Sequence, residues 1–227
     1  MTTVALAPLD LAALLCSRVC HDVISPVGAI VNGLEVLDGE EDEEMRTIAM
    51  DLIKKSAVSA SARLQFCRLA FGAAGSLAAS IDTGDAENVA RGLLVNEKTS
   101  LDWKAARRLL PKNIVKLVLN LCLLGSGCIP RGGVLSVDME GEGDTPSIRV
   151  EAKGPNAKIP HAAARLLSGE AVETIDAHAI QPYYTELLAE QCGLTIAASA
   201  AADAVTLTAS PAERREAEPA AAAALDG

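Results

Sequence analysis

The chain has 227 residues, 50% of them hydrophobic but only 2% aromatic, so its core must consist mainly of Leu, Val, Ile and Ala, a composition that favours helix. The formal net charge of −10 argues against binding to nucleic acid or to an anionic membrane surface, because both need clustered Lys and Arg. No apolar run approaches the ~18 residues of a membrane span, and the N-terminus lacks a signal peptide's basic segment. These features predict a cytoplasmic protein.

The first predicted element is a helix over residues 9–38, which Asp10 caps and Gly39 ends. An acidic turn leads into a second predicted helix over residues 43–72. Apolar residues recur along both helices at steps of three or four, which is typical of heptad packing. The two stripes are Ala12, Cys16, Val19, Val23, Val27, Ile30, Leu34 and Leu37 on the first helix, and Ile53, Ala57, Ala60, Leu64, Cys67 and Phe71 on the second.

Two long helices joined by a short turn form an antiparallel hairpin. A single hairpin cannot bury both stripes fully, whereas two hairpins from two chains can do so as a four-helix bundle. The spacing therefore predicts a homodimer. The alternative is that the hairpin packs against the C-terminal part of its own chain.

The pattern changes from about residue 80 into alternating short helices and strands, which predicts an α+β sandwich with helices grouped on one face of a mixed sheet. We expect a helical hairpin domain over residues 8–75, a sandwich domain over 80–210 and a disordered tail over 211–227. The predicted helices are 85–96, 111–122, 160–167 and 179–192, with Pro111 in the first helical turn. The predicted strands are 100–103, 134–139, 148–152, 194–198 and 204–208.

His21 is the main candidate for chemistry. It lies two positions from both Val19 and Val23, about 200° around the helix, so its imidazole should face solvent. An exposed imidazole with one free nitrogen can attack a phosphoryl group. Asp22 can orient the ring or hold its proton, and Ser25, one turn along on the same face, can contact the phosphoryl group or a partner.

The segment around His21 resembles the H-box of sensor histidine kinases. Residues 20–30 read CHDVISPVGAI, with an acidic residue after the histidine, a hydroxyl residue four positions on and a proline five positions on. A proline inside a helix costs about 3 kcal/mol or more, so Pro26 predicts a functional kink. The resemblance implies that His21 is a phosphoacceptor.

Residues that share the His21 face predict a docking surface for a partner domain. Small and apolar residues on an exposed face suit a partner helix that packs alongside, whereas the alternative is ordinary solvated surface. The predicted docking residues are Leu14, Ser17, Arg18, Ile24 and Gly28 on the first helix, and Lys55, Ser59, Ala62 and Phe66 on the second.

Two later segments resemble the nucleotide-binding motifs of kinase catalytic domains but have lost key residues. Residues 117–125 resemble the N-box, where Asn120 matches the first asparagine and Leu124 replaces the metal-binding second. Residues 150–156 resemble the segment that recognises adenine, where Ala152 replaces the aspartate and Gly154 is followed by Asn156 in place of a second glycine. Leu and Ala can neither coordinate Mg²⁺ nor accept a proton from adenine, so we expect a degenerate, Bergerat-like domain without a cofactor.

An H-box hairpin followed by a degenerate ATPase-like domain resembles the ChpT-type histidine phosphotransferases of cell-cycle phosphorelays, over residues 8–210. The resemblance implies a homodimer that receives phosphoryl groups from the receiver domain of a CckA-like hybrid kinase. It implies that CtrA-like and CpdR-like response regulators accept them, with Mg²⁺ held in the receiver domain.

Three other functions stay open from the sequence: a histidine kinase core with a divergent ATP site, a non-enzymatic dimeric adaptor in which His21 is incidental, and a phosphatase of receivers through Ser25. Cys16, Cys20 and His21 lie close together, but no second Cys/His pair has metal-ligand spacing, so we expect no metal. The six cysteines are expected to be mainly buried thiols.

Overall fold

The computed structural model describes residues 6–39, 42–72, 80–161, 163–164, 175 and 179–211. Two long helices come first, and a mixed arrangement of helices and strands follows. The elements in chain order are α1 (Pro8–Gly39), α2 (Glu43–Ala70), β1 (Ser80–Asp82), α3 (Thr83–Leu94), β2 (Thr99–Trp103), β3 (Leu109–Pro111), α4 (Lys112–Cys128), β4 (Gly133–Glu140), β5 (Ser147–Lys153), α5 (Ile180–Gln191), β6 (Leu194–Ala201) and β7 (Ala204–Pro211).

Helices α1 and α2 form the predicted hairpin, and α1 is continuous through Pro26. The line of closest approach differs from the predicted stripe, because the buried residues of α1 are Pro26 and Gly33. Gly33 lies so close to α2 that a Cβ there would be 2.7 Å from Cγ1 of Ile53. Stripe residues such as Val27 and Leu34 stay 43% and 49% exposed. The stripe is therefore divided between the hairpin contact and an open face.

The C-terminal sheet has the strand order β2-β4-β5-β7-β6. Strands β2 and β4 are parallel and the other neighbours are antiparallel, which confirms the prediction of a mixed sheet. A separate pair, β1 with β3, was not predicted, since three residues give too little alternation to detect.

Helix α4 forms the centre of the core and buries 13 of its 17 residues. It runs to Cys128, six residues beyond its predicted end, because Gly125 does not stop it: a Cβ there would lie 2.8 Å from Cδ1 of Leu135. The glycine instead allows the helix to approach the sheet. Pro111 is the N-cap residue at the end of β3 and not part of the first turn. The inner face of the sheet is apolar, and the outer face carries the ion pair of Arg149 with Glu151 at 3.3 Å.

Within the described residues, the hairpin contacts the rest of the chain at the end of α2, at the start of α1 and along α3, which packs against α2. Near the end of α2, Phe66 and Ala70 are buried in the main core. At the start of α1, the backbone N–H of Leu6 donates to the hydroxyl of Tyr183 at 3.2 Å, and Leu14 packs against the same part of α5. Packing of the hairpin against its own chain, the alternative left open by the sequence, thus occurs, while apolar residues such as Leu34 stay exposed.

By length and composition alone, α1 is apolar enough to cross a membrane, which the absence of an unbroken apolar run did not predict. The core helix of a soluble protein passes the same test, so one such helix is weak evidence. The helix also carries the ion pair of Arg18 with Asp22 and packs along α2, and both features suit a bundle helix.

Two predictions fall partly or wholly outside the described residues. The predicted helix over 160–167 is described only at its start, where residues 161, 163 and 164 are helical. Strand β7 continues to Pro211, and the remaining residues of the predicted tail lie outside the described ranges.

Candidate functional site

His21 lies near the middle of α1, and its side chain is 76% exposed, as predicted. Its Nδ1 is 3.3 Å from Oδ1 of Asp22. This contact turns one ring nitrogen toward a carboxylate and leaves the other nitrogen, Nε2, outside that contact. Ser25 is exposed one turn further along the helix. The next residue, Pro26, is buried within the hairpin.

Asp22 is held from its other side by Arg18. The Nε of Arg18 donates to Oδ2 of Asp22 at 2.9 Å, so the two oxygens of the carboxylate have different partners. Both side chains are mostly buried, with 26% and 19% exposed. Water therefore screens this pair less than a surface ion pair.

A cleft of about 200 Å³ opens beside Asp22, between the hairpin and the sheet domain. Arg18 and Asp22 of α1 and Arg63 of α2 line one side, while Asn96 after α3 and Ser126 of α4 line the other. The sheet domain thus forms one wall next to the candidate site. Burial raises the pKa of Cys67, at the base of this cleft, to about 11, so that thiol is not a candidate nucleophile.

Comparison with known proteins gives matches over nearly all of the chain. Residues 83–204 match the family model described as the histidine phosphotransferase C-terminal domain. The protein phosphotransferase ChpT of Brucella abortus (strain 2308) is 55% identical over 208 residues, which are 91% of this chain and 98% of the relative. This chain belongs to the ChpT family of histidine phosphotransferases. It is accordingly a protein phosphotransferase that acts in phosphorelay signalling.

A solved structure of a bacterial phosphotransferase is similar to the whole fold of this ChpT family member. The TM-score is 0.85 at 53% sequence identity, and the match covers 92% of this chain and 100% of that one. The likeness therefore includes the hairpin as well as the sheet domain.

One predicted docking residue is wrong. Phe66 is 1% exposed and lies in the main core, because the sheet domain of the same chain covers that face of α2. Leu14 and Ala62 are half-buried, Leu14 against α5 and Ala62 close to Gly92 of α3. The sequence cannot show which face of α2 its own C-terminal domain covers.

The other predicted docking residues differ in exposure and in their partners. Ile24 is 69% exposed, and Arg18 is engaged with Asp22. Ser59 is half-buried, and its hydroxyl accepts a hydrogen bond from Nε of Arg63 at 3.4 Å. The remaining members are Ser17 and Lys55, which are exposed, and Gly28, which is half-buried.

The positions that resemble a nucleotide site are part of the core. Asn120 is fully buried, and its side-chain amide donates to the carbonyls of Ala70 and Lys116 at 3.1 and 2.9 Å. Its carboxamide oxygen accepts from Nε2 of Gln181 at 3.2 Å. The asparagine thus joins α2, α4 and α5, a role that its position in the sequence does not reveal.

The segment that resembles the adenine motif is partly buried and has a tight backbone. Leu124 and Ala152 are buried in the main core. Gly154 leaves no room for a side chain, since a Cβ would lie 2.2 Å from the carbonyl oxygen of Gly132. Asn156 has φ = 58°, a conformation that asparagine tolerates better than most residues, which explains how it replaces a glycine.

The cysteines differ from the expectation at two positions. Cys16 and Cys20 are exposed on α1, while Cys67, Cys122 and Cys128 are buried and Cys192 is intermediate. Within the described ranges, no group of three or more His, Cys, Asp or Glu side chains could hold a metal ion.

Two features of the site were missed from the sequence. The pairing of Arg18 with Asp22 could have been found, because the two are four residues apart on one helix. The approach of Arg63 and Asn96 to the same cleft depends on how the hairpin docks on the sheet domain, for which the sequence offers no local signal.

Proposed function

We propose that His21 receives a phosphoryl group from a receiver-domain aspartate and passes it to the aspartate of another receiver. The observation that supports this most is the exposed imidazole of His21 on α1, with Nδ1 turned to Asp22. Nucleophilic attack through Nε2 then needs no rearrangement of the helix. Ser25 lies on the same exposed face and can contact the phosphoryl group, and Pro26 is proposed to kink the helix at this point.

A mechanism without ATP is supported by the positions that a kinase uses for nucleotide and Mg²⁺. The amide of Asn120 is fully engaged in bonds between helices. Leu124 and Ala152 are apolar and lie in the core. The phosphoryl group must then come from another protein, since this chain offers no donor groups for Mg²⁺ at those positions.

The proposed partners follow from the family resemblance. A CckA-like hybrid kinase would supply phosphoryl groups through its receiver domain, and CtrA-like and CpdR-like regulators would accept them in a cell-cycle phosphorelay. Mg²⁺ would belong to the acidic pocket of the receiver. We also propose a cytoplasmic location, as the acidic composition predicts.

The docking surface is proposed to consist of exposed residues around His21, chiefly Ser17, Ile24, Ser25 and Lys55. An exposed isoleucine among small and polar residues provides an apolar contact for a receiver helix. We divide the chain into a phosphotransfer and dimerisation unit, residues 8–75, and a degenerate ATPase-like unit, residues 80–210.

We also propose that two chains pair through α1 and α2 as a four-helix bundle. Apolar side chains remain exposed along the hairpin, among them Val31, Leu34, Ile48 and Leu52. An open apolar groove of about 520 Å³ lies between the helices. Exposed apolar surface on this scale marks an interaction site, and the heptad spacing suits a second copy of the same hairpin.

The test is phosphotransfer from a purified, phosphorylated receiver domain. We expect the protein to acquire label that is labile in acid and stable in alkali, as phosphohistidine is. The His21→Ala variant should acquire none. His161→Ala is the matched control, since His161 is also exposed but lies in the sheet domain, and it should be labelled like the wild type.

Each other outcome identifies a different function. Labelling from ATP alone would overturn the mechanism without nucleotide and support a histidine kinase. Absence of label with a competent receiver would support a non-enzymatic adaptor. Loss of phosphate from the receiver without labelled histidine, abolished by Ser25→Ala, would support a phosphatase.

A further inference from the structure

We propose that Arg18 is a positioning residue for phosphotransfer. It holds the Asp22 carboxylate so that this group accepts a hydrogen bond from the Nδ1–H of His21. Nε2 is then the attacking nitrogen. The proposal deepens the proposed function and rests on the role of His21 in it. It assigns Arg18 to the organisation of the site, in place of the predicted contact with a receiver.

The geometry is a chain of two contacts along one helix face. Arg18 Nε is 2.9 Å from Oδ2 of Asp22, and Oδ1 of the same carboxylate is 3.3 Å from Nδ1 of His21. Because each oxygen has its own partner, Arg18 can orient the carboxylate without competing with the imidazole. The side chains become more exposed from one contact to the next: the Arg18–Asp22 ion pair is mostly buried, whereas His21 is 76% exposed.

The order of charges argues for a role beyond helix stability. A basic residue placed four positions before an acidic one is the less favourable order for stabilising a helix. The pair also lies at the cleft wall, where water is partly excluded and a fixed charge acts more strongly. The proximity of both charges to Cys67 is reflected in its pKa, which burial and then Asp22 raise and which Arg18 lowers.

The chemical step shows why the tautomer matters. The lone pair on Nε2 forms the N–P bond while the P–O bond to the receiver aspartate breaks, and the electron pair leaves on that carboxylate. The proton on Nδ1 stays between His21 and Asp22, whose negative charge offsets the positive charge that develops on the ring. If the proton resided on Nε2 instead, that nitrogen would have no lone pair to attack with.

The tautomer can be measured directly, without any phosphotransfer, by ¹⁵N NMR of the neutral imidazole in the full-length protein. We expect the wild type to carry the proton on Nδ1. Arg18→Gln should shift the population toward the Nε2–H form that an unconstrained histidine favours, and Arg18→Lys should restore part of the Nδ1–H form. Arg63→Gln is the matched control, because it removes the same charge from the same cleft but Arg63 bonds to Ser59, and it should keep the wild-type tautomer.

The transfer rate provides the second readout. Arg18→Gln should slow phosphorylation of His21 about tenfold, a modest share of what a positioned proton-accepting group contributes. In an Asp22→Asn background the same substitution should have almost no further effect, because Arg18 acts through Asp22. Additive losses in the double variant, or an unchanged tautomer in Arg18→Gln, would overturn the proposal.

These outcomes are separate from failure of the proposed function. If Arg18→Gln keeps the Nδ1–H tautomer and the full rate while His21→Ala is inactive, only the role of Arg18 is refuted. If the wild type accepts no phosphoryl group from any receiver, the proposed function fails, and the tautomer measurement still reports on the Arg18–Asp22–His21 arrangement.

Discussion

Helices α1 and α4 are both apolar, but they differ in how many of their residues are buried. Helix α1 buries two of its 32 residues, whereas α4 buries 13 of its 17. Helix α4 is enclosed by the sheet and by α2, α3 and α5. Helix α1 has α2 along one side, and α5 covers only its start.

The difference separates a region whose apolar residues are largely buried within one chain from a region that we propose packs against another molecule. The sheet domain has an apolar core of its own, and Leu124 and Ala152 are part of it. The hairpin exposes both His21, the proposed phosphoacceptor, and a series of apolar side chains. Function is therefore expected to be sensitive to changes on the hairpin surface and stability to changes around α4.

The largest effect should come from a charge on the open face of α1. Leu34→Glu would place a carboxylate in the proposed dimer core, where burial of an unpaired charge is strongly unfavourable. We expect dimer affinity to fall about 100-fold or more, measured by sedimentation at several protein concentrations. Asn32→Glu adds the same charge about 200° away on the helix and should leave the dimer intact. A monomeric wild type, or a dimeric Leu34→Glu variant, would contradict the bundle.

The same contrast explains what could be predicted from the sequence. The hairpin was predicted almost to the residue, because 3.6-residue periodicity and capping residues such as Gly39 are local signals. The true end of α4 was missed, because Gly125 is usually a sign of helix termination and here serves close packing on Leu135.

The site was predicted only where its signals are local. His21, Asp22 and Ser25 follow one another in the chain, and the exposure of His21 follows from helix rotation. Phe66 was predicted to be an exposed docking residue but is buried, because its burial depends on how the sheet domain packs against α2. The hydrogen bonds of Asn120 to α2 and α5 are likewise long-range, so the apolar periodicity of the sequence does not predict them.

The next largest expected effect is on the stability of the sheet domain around α4. Asn120→Ala would leave the buried carbonyl of Ala70 without its side-chain donor, while the Gln181 amide would keep its bonds to the backbone carbonyl of residue 120 and to Thr185. We expect a loss of about 2–3 kcal/mol in the free energy of unfolding, since one unsatisfied buried group costs about 1–3 kcal/mol and the contact with Gln181 is lost as well. The measurement is chemical denaturation at fixed protein concentration.

Asn113→Ala is the matched control for that measurement, because Asn113 lies on the same helix but is only half-buried, with a longer bond to Gln191 at 3.4 Å. It should cost less than about 0.5 kcal/mol, as surface substitutions usually do. Equal losses in the two variants would contradict the view that Asn120 is a structural link between helices.

A smaller, pH-dependent effect is expected from α5. Burial raises the pKa of Glu186 from 4.5 to about 7. The folded state therefore keeps its proton at pH values where the unfolded state has lost it, so this group's contribution to stability decreases as the pH rises from about 4.5 to 7 and is constant above. We expect Glu186→Gln to be more stable than the wild type by about 2 kcal/mol at pH 8, with the difference vanishing near pH 4. Thermal or chemical unfolding at several pH values measures this, and a pH-independent difference would refute it.

The smallest effects compare two glycines of α1. Gly28 has open space where a Cβ would be, so Gly28→Ala should stabilise the protein by up to about 1 kcal/mol through helix propensity alone. At Gly33 the same gain is opposed, because the new Cβ would lie 2.7 Å from Cγ1 of Ile53 and 3.3 Å from the carbonyl oxygen of Ala49. Overpacking of this kind costs about 1–3 kcal/mol, so Gly33→Ala should be net destabilising by about 1 kcal/mol. Opposite signs for the two variants, measured at one protein concentration, would show that close approach of α1 to α2 fixes the hairpin, whereas equal stabilisation would mean that the hairpin adapts its spacing freely.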